Sequence, residues 1–458
     1  MSLSSARQRR ATAASPLTDD GYAKDAKDRR RRPGGGDGDG DDGGIKWFLP
    51  LLALGLLRHM SASSNLIHDC DEVFNYWEPL HFLLYRSGFQ TWEYSSDFAL
   101  RSYLYLFIHA LVAGPASLIF GEHKVRVFYS VRIFLGLIST ITETVLVVAL
   151  SRRYGKRLAC YVLALLCLSS GCFFASTSFL PSSFSMYAVT LSSALFLLEK
   201  YAAAVSVAAA GVILGFLTSL SLLVLSFLAD YQWFLYPIYP LICVAAAAVI
   251  DSFPDFFHDK YSSDQSIFEK IAKGLRPLIL GFILCASHSR TFSMLNGYGA
   301  PLQIYQHLEH HDDSGPGSVL CVGSEWHRYP SSFFIPSYIG EVRWIDDGFR
   351  GLLPFPFNET LGGTTAAPSY FNNKNKASEE QYLKDIGACT LLVELDLRRP
   401  YPSRGNDLKT WEALAALPFL DRELSPALYR SFFVPYRWQQ NNVFGLYKLL
   451  RRLRTDQA

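Results

Sequence analysis

The sequence predicts a polytopic α-helical membrane protein with a C-terminal α/β domain, and three observations carry that reading. Half of the 458 residues are apolar and the mean hydropathy is +0.13, too high for a soluble enzyme of this length and too low for a chain made only of spans. Long apolar runs fill residues 45–288. After residue 289 these runs shorten, and brief alternating segments take over. The net charge of +2 is uninformative about nucleic acid, but no basic stripe with interleaved aromatics is present, so a nucleic-acid partner is not expected.

Residues 1–44 carry Arg/Lys runs (Arg7 to Arg10, Lys24 to Arg32) and a Gly/Asp tract. Nothing there can bury a core, so a disordered tail is expected, with its basic residues favouring a cytosolic N-terminus. The first apolar run, Ile45 to Leu57, lacks a small-residue cleavage pattern and reads as a retained anchor. Further candidate spans lie at about 100–120, 127–150, 157–176, 182–199, 202–228, 233–251 and 271–287, judged against the ~20 residues that cross a bilayer. Eight spans return the chain to the cytosol after residue 288. They also place Arg152, Arg153, Lys156 and Arg157 outside, against the preference of basic residues for the cytosol. Asn358-Glu359-Thr360, the single N-x-S/T sequon, makes sense only in a lumen. The span count and the sidedness signals conflict.

In residues 289–458, Ser318 to Val322, Glu341 to Ile345 and Leu391 to Leu395 read as strands, with helical patterns at 301–309, 378–386 and 409–416. No repeat of fixed period is present. The predicted organisation is a tail (1–44), a membrane module (45–288) with an active-site loop at 60–99, and a luminal α/β domain (289–458). Five of the eight cysteines, Cys160, Cys167, Cys172, Cys243 and Cys285, sit in apolar runs. Cys70, Cys321 and Cys389 lie outside them; a Cys321–Cys389 disulfide is one open pairing. No CxxC occurs, and His307, Glu309, His310, His311, Asp312 and Asp313 read as a solvated helix end, so no metal ligands are assigned.

The chemistry concentrates in residues 60–99, which hold six acidic side chains (Asp69, Asp71, Glu72, Glu78, Glu93, Asp97) and one basic one, Arg86. Carboxylates beside a bilayer must face water, a partner or a substrate. Trp77, Trp92, Tyr76, Tyr85 and Tyr94 suit an interface where one ring edge is wet. Clustering raises a carboxylate's pKa and fits it to take a proton from an attacking hydroxyl. In extended backbone Asp69 and Asp71 would share one side with Glu72 opposite; alternatively, Asp71 caps a helix through Val73 to Leu84. Arg101 and Arg290 stand at span ends, either snorkelling or holding a lipid phosphate. Pro237 and Pro240 would kink a span. No GxSxG, Walker loop or GxGxxG after a strand occurs, which argues against a nucleotide-sugar donor.

In combination, His68-Asp69-Cys70-Asp71-Glu72, Tyr76-Trp77-Glu78-Pro79, Phe89-Gln90-Thr91-Trp92-Glu93-Tyr94 and Arg101-Ser102-Tyr103 resemble the glycosyltransferase family 22 mannosyltransferases of the endoplasmic reticulum, which have the GT-C membrane fold. The likeness is strongest to the dolichol-pathway alpha-1,2-mannosyltransferase branch. Phe234 to Cys243, Ser289-Arg290, Tyr298 to Pro301 and Glu325 to Pro336 look similar as well, so the resemblance spans about residues 45–450. It implies transfer of mannose, with inversion, from dolichyl-phosphate-mannose to the lipid-linked oligosaccharide precursor of N-glycans, in the endoplasmic reticulum membrane with the first loop luminal. By the same resemblance Asp71 and Glu72 match the family's Asp-Glu, with Asp69 as competing base. His68, Trp77, Glu78, Trp92, Glu93, Arg101 and Arg290 are the expected substrate-binding residues. No cofactor is assigned, and a divalent-metal requirement stays open.

One departure matters. Where the family carries a basic-acidic motif before Phe-Leu-Tyr-Pro, this chain reads Leu228-Ala229-Asp230-Tyr231-Gln232-Trp233. A block of membrane helices between Phe216 and Phe234 is expected to be missing, which would resolve the conflict over sidedness. An inactive shortened isoform or a non-catalytic membrane partner is therefore the alternative function. A transporter is less favoured, because the acids lie in a loop and not at mid-membrane.

Overall fold

The apolar runs fold as the helices Phe48–Ser64, Leu104–Phe120, Lys124–Tyr154, Lys156–Leu168, Pro181–Leu197, Tyr201–Gly211, Tyr239–Ser252 and Ile267–Tyr298 in a computed structural model. It describes residues 44–216, 232–257, 267–311, 314–357, 363, 365–397 and 403–453. The expected tail (apart from Gly44), Leu228 to Tyr231, Asp312, Asp313 and the Asn358 sequon lie outside the described residues. Local chemistry sets the helix ends. Gly121 and Gly155, both at positive φ, terminate two helices, and Pro181 opens another. Arg152 and Arg153 occupy a last turn, where cations complement the helix dipole.

Three helices among the described residues are long and apolar enough to cross a membrane: Lys124–Tyr154, Leu235–Phe256 and Ile267–Tyr298. Leu104–Phe120 and Tyr201–Leu214 are shorter apolar helices, so three of the eight expected spans coincide with helices of full spanning length and the others with shorter or partly undescribed segments. The run at 157–176 breaks because Ser169 is extended and caps a new helix, Ser170–Ala175, by accepting the Cys172 N–H. The runs at 45–57 and 182–199 become 17-residue helices. The run at 202–228 leaves the described residues after Phe216. A buried ion pair, Arg58 Nη2 to Glu143 at 2.9 Å, joins Phe48–Ser64 to Lys124–Tyr154, and the same nitrogen donates to Leu166 O.

Among the described residues there are seven strands: β1 (Phe89–Gln90), β2 (Ser318–Val322), β3 (Ile339–Trp344), β4 (Phe355–Pro356), β5 (Leu391–Asp396), β6 (Trp411–Leu420) and β7 (Phe444–Arg452). Five form one mixed sheet in the order β3-β2-β5-β7-β6, parallel at β3-β2-β5 and antiparallel at β5-β7-β6. The three expected strands become β2, β3 and β5. The helical pattern at 409–416 is corrected to β6: a register shift between Ala413 and Ala415 breaks the alternation that would have marked a strand. The pattern at 378–386 gives only the short 3-10 turn Glu379–Gln381 and the beginning of another, Ile386–Ala388. The pattern at 301–309 is helical, as Ala300–Ile304 and the 3-10 stretch Tyr305–His310.

Helix Ile267–Tyr298 runs straight through the expected boundary at 288. Its second half is fastened to the C-terminal region: Ser289 Oγ donates to Phe433 O and Ser293 Oγ to Arg430 O, each at 2.9 Å, while Trp438 Nε1 donates to Ser293 Oγ. Cys321 of β2 and Cys389, just before β5, form a disulfide across 68 residues. Replacing both cysteines by serine removes a cross-link of that loop length and is expected to lower stability by about 2–4 kcal/mol. A thermal-unfolding comparison in detergent, with a non-reduced peptide map locating the linked pair, checks this.

Candidate active site

The acidic turn is built on a helix start. Asp69 is extended and its Oδ1 accepts the Asp71 N–H at 3.0 Å, opening the helix Cys70–Glu72. Neither an extended Asp69–Glu72 nor a capping Asp71 is present: Asp69 is the cap. A π-helical stretch, Val73–Trp77, follows and leads into helix Glu78–Tyr85, which ends on Arg86 in the left-handed conformation. Such stretches rotate the residues on either side relative to a regular helix. Here Asp71 reaches solvent while Glu72 and Glu78 turn inward.

The inward carboxylates are hydrogen-bonded within the protein. Glu72 is 1% exposed; its Oε1 accepts from Trp77 Nε1 at 3.1 Å and Phe179 N at 2.9 Å. Glu78 is 0% exposed and takes four hydrogen bonds. Ser331 Oγ (2.7 Å) and Ser332 N (2.6 Å) donate to Oε1; Phe89 N (2.9 Å) and Ser332 Oγ (2.7 Å) donate to Oε2. Ser331 sits at φ 149°, a conformation few side chains adopt, and the Glu78 bond holds it there. Gly88, at φ +142°, is required because a Cβ would meet Glu78 O at 2.8 Å. β1 then pairs antiparallel with β4. Trp77 is 0% exposed and packs against Phe128, Phe179 and Phe333. Glu72, expected as a base, and Trp77 and Glu78, expected as substrate contacts, are all buried, and both carboxylates are hydrogen-bonded within the protein.

The remaining residues differ. Burial first, and the Asp69 charge second, raise the Asp71 carboxyl to about 6; Arg101 opposes and Glu93 adds to the rise. Burial likewise raises Asp69. Asp69, Cys70 and Asp71 place three potential ligand atoms within 4.8 Å of one another, as expected for one helical turn. Arg101 is committed within the loop, pairing with Glu93 and donating through Nη1 to Tyr76 OH at 2.6 Å. Trp92 packs edge-on against Phe98.

Two cavities meet beside this turn. One of about 480 Å³ is lined by His68, Ser169, Ser170, Tyr236, Ser287 and Arg290 among others. The other, of about 1150 Å³, lies between helix Ile267–Tyr298 and the sheet and shares His68, Arg290 and Met294 with the first. Burial first, then Arg132 and Arg290, lower the His68 pKa to about 4, so it is neutral at pH 7. Asp69 and Asp71 flank the His68 end without lining either cavity, and Asp69 lies within electrostatic reach of Tyr236. Trp92, Glu93 and Arg101 line neither. Sequence reasoning marked Tyr236, Glu325 and Arg328 only as parts of stretches that carry the family resemblance, and missed Arg422 and Arg430 altogether. These residues come from separate segments that only the tertiary fold brings together.

Fold and site together define a membrane-helix protein whose polar cleft lies between its helices and a mixed sheet, with the exposed carboxylate of Asp71 three residues from His68, which lines that cleft. The chain belongs to the Alg9-like mannosyltransferase family, whose model matches residues 49–233 and 232–336. It is 54% identical to the alpha-1,2-mannosyltransferase ALG9 of Arabidopsis thaliana, over 99% of this chain and 100% of the relative. Identity to the Homo sapiens ALG9 is 28% (87% and 88% covered), and to that of Saccharomyces cerevisiae 25% (84% and 92% covered). No solved structure matches. The Arabidopsis alignment runs over 572 positions against 458 residues, so more than a hundred of its positions have no counterpart here. The two family blocks meet at residues 232–233, where the loss of helices is expected from the sequence.

If Glu78 holds the turn to the Ser331-Ser332 segment, Glu78→Gln sets an amide N–H against donors and is expected to destabilise by roughly 2–4 kcal/mol. The melting temperature in detergent reads this, and an unchanged value would remove Glu78 from that role.

Proposed function

We propose that this chain transfers mannose from dolichyl-phosphate-mannose to a lipid-linked oligosaccharide, forming an alpha-1,2 bond with inversion, in the endoplasmic reticulum membrane. On this reading the N-terminus is cytosolic, and the acidic turn and the C-terminal sheet face the lumen. The observation that carries it is the division of labour within the family's carboxylate motif. Glu72 and Glu78 are consumed by internal hydrogen bonds, and Asp71 alone of the four acids from Asp69 to Glu78 is exposed.

Asp71 is the general base. A mannose hydroxyl of the acceptor attacks C1 of the donor from the face opposite the phosphate. Its proton passes to the Asp71 carboxylate, the C1–O bond breaks, and the electron pair leaves on the phosphate oxygen. A β-linked donor thereby gives an α product. Arg101, paired with Glu93 and close to Asp71, offsets its charge and positions it; Asp69 caps the turn and tunes its proton affinity. Arg290 and His68, at the junction of the two cavities, face the donor phosphate, and Trp92 and Glu93 form the outer wall of the acceptor side.

The block of more than a hundred unmatched positions favours a second reading, a non-catalytic membrane partner or an inactive shortened form. Mannose transfer in microsomes separates the two: loss on Asp71→Asn supports the enzyme, and no transfer by either chain supports the second reading. The base must be ionised, so the rate is expected to rise with pH through about 6 and then level. Asp69→Asn keeps the capping oxygen but removes the neighbouring charge, and should move this limb to lower pH. A limb that does not move would exclude Asp71 as the titrating base.

A further inference from the structure

The larger cavity is lined by four arginines and three carboxylates, and Glu325 and Asp421 among the acids are held by partners within the protein. Arg290, Arg328, Arg422 and Arg430 all line it, and all four lie within electrostatic reach of the Tyr298 hydroxyl. Its acids are Glu325, Asp421 and Glu423. Glu325 is ion-paired with Arg328, whose guanidinium also covers the Phe419 ring. Asp421 is buried, and its Oδ1 accepts the N–H groups of Glu423 and Leu424. Among the described residues, Arg430 donates only to the Arg422 carbonyl, which spends no charge. The guanidinium groups of Arg290 and Arg422 make no hydrogen bond or ion pair among the described residues. Three guanidinium groups that have no carboxylate partner among the described residues, at a cavity that reaches His68, call for an anion.

We infer that Arg422 and Arg430 complete, with Arg290, the site for the phosphate of a polyprenyl-phosphate sugar. The C-terminal region then supplies part of the leaving-group site and does more than cover the helices. This rests on the transferase reading above. The chemistry gives the two arginines a task that Arg290 alone meets poorly. The donor is a phosphodiester with one negative charge. When the C1–O bond breaks, the pair stays on the phosphate and the product is a monoester that approaches two charges at neutral pH. Cations placed where charge develops stabilise the transition state more than the ground state. Arg422 follows the end of β6 and Arg430 lies in the short helix Ala427–Ser431, whose backbone is fastened to helix Ile267–Tyr298 by the Ser293 Oγ bond to the Arg430 carbonyl; both side chains line the cavity that Arg290 also lines.

The test measures binding to the purified full chain in detergent. The probes are dolichyl-phosphate-mannose, dolichyl phosphate, and a dolichyl-diphosphate oligomannose acceptor. Arg422→Gln and Arg430→Gln are each expected to weaken dolichyl phosphate by about tenfold, the equivalent of one lost charge-assisted bond. They should weaken dolichyl-phosphate-mannose less and leave the diphosphate acceptor unchanged, with Arg430→Lys restoring part of the loss. Arg422→Gln breaks no internal bond of its side chain, so an unfolded variant does not confuse the outcome. Weakening confined to the diphosphate acceptor would overturn the assignment and give these arginines to the acceptor lipid. Unchanged binding of all three probes, with the wild type binding the donor, would overturn this inference alone. A wild-type chain that binds no probe would overturn it together with the transferase reading.

Discussion

Glu78 is buried without solvent, and its two carboxylate oxygens take four hydrogen bonds from Phe89, Ser331 and Ser332, residues that lie up to 254 positions away in sequence. A buried carboxylate with fewer donors would be strongly destabilising, so the geometry around it is stringent. It demands a glycine at 88, a strained serine at 331, and a return of the chain from the helices to the sheet region. Once those conditions are met, the π-helical stretch before Glu78 has a fixed end. The direction in which Asp71 points follows from it.

The same constraint divides the motif. Glu72 anchors Trp77 and Phe179, Glu78 anchors the Ser331-Ser332 segment, and Asp69 caps the turn. These are ways of holding a small polar turn rigidly at a membrane helix bundle. Rigid support from surrounding groups is what lets one side chain do chemistry with a defined direction. Arg101 and Glu93 form a second, partly buried layer that keeps charge near Asp71.

Much of this was legible in the sequence, for identifiable reasons. The density of acids and aromatics between two apolar runs marked the turn, and three strands announced themselves by alternation. Other features were not legible. The roles of Glu72, Trp77 and Glu78 depend on partners such as Phe179, Phe128 and Ser331, contributed by distant elements, and a motif carries no sign of which of its members face inward. β6 hid behind a register shift, and the break at Ser169 interrupts an apolar run that composition reads as continuous. The arginines of the large cavity come from helix Ile267–Tyr298, the segment after β2 and the segment after β6, so no local pattern links them.

The central claim is that adjacent carboxylates of one motif have separate tasks, structure for Glu72 and proton transfer for Asp71. Thermal unfolding and mannose transfer measured side by side for Glu72→Gln test it most directly. The account predicts a lowered melting temperature, with the surviving folded fraction transferring mannose at a rate close to that of the unaltered chain. A fully stable Glu72→Gln protein that transfers no mannose would contradict it, and would return the base to Glu72.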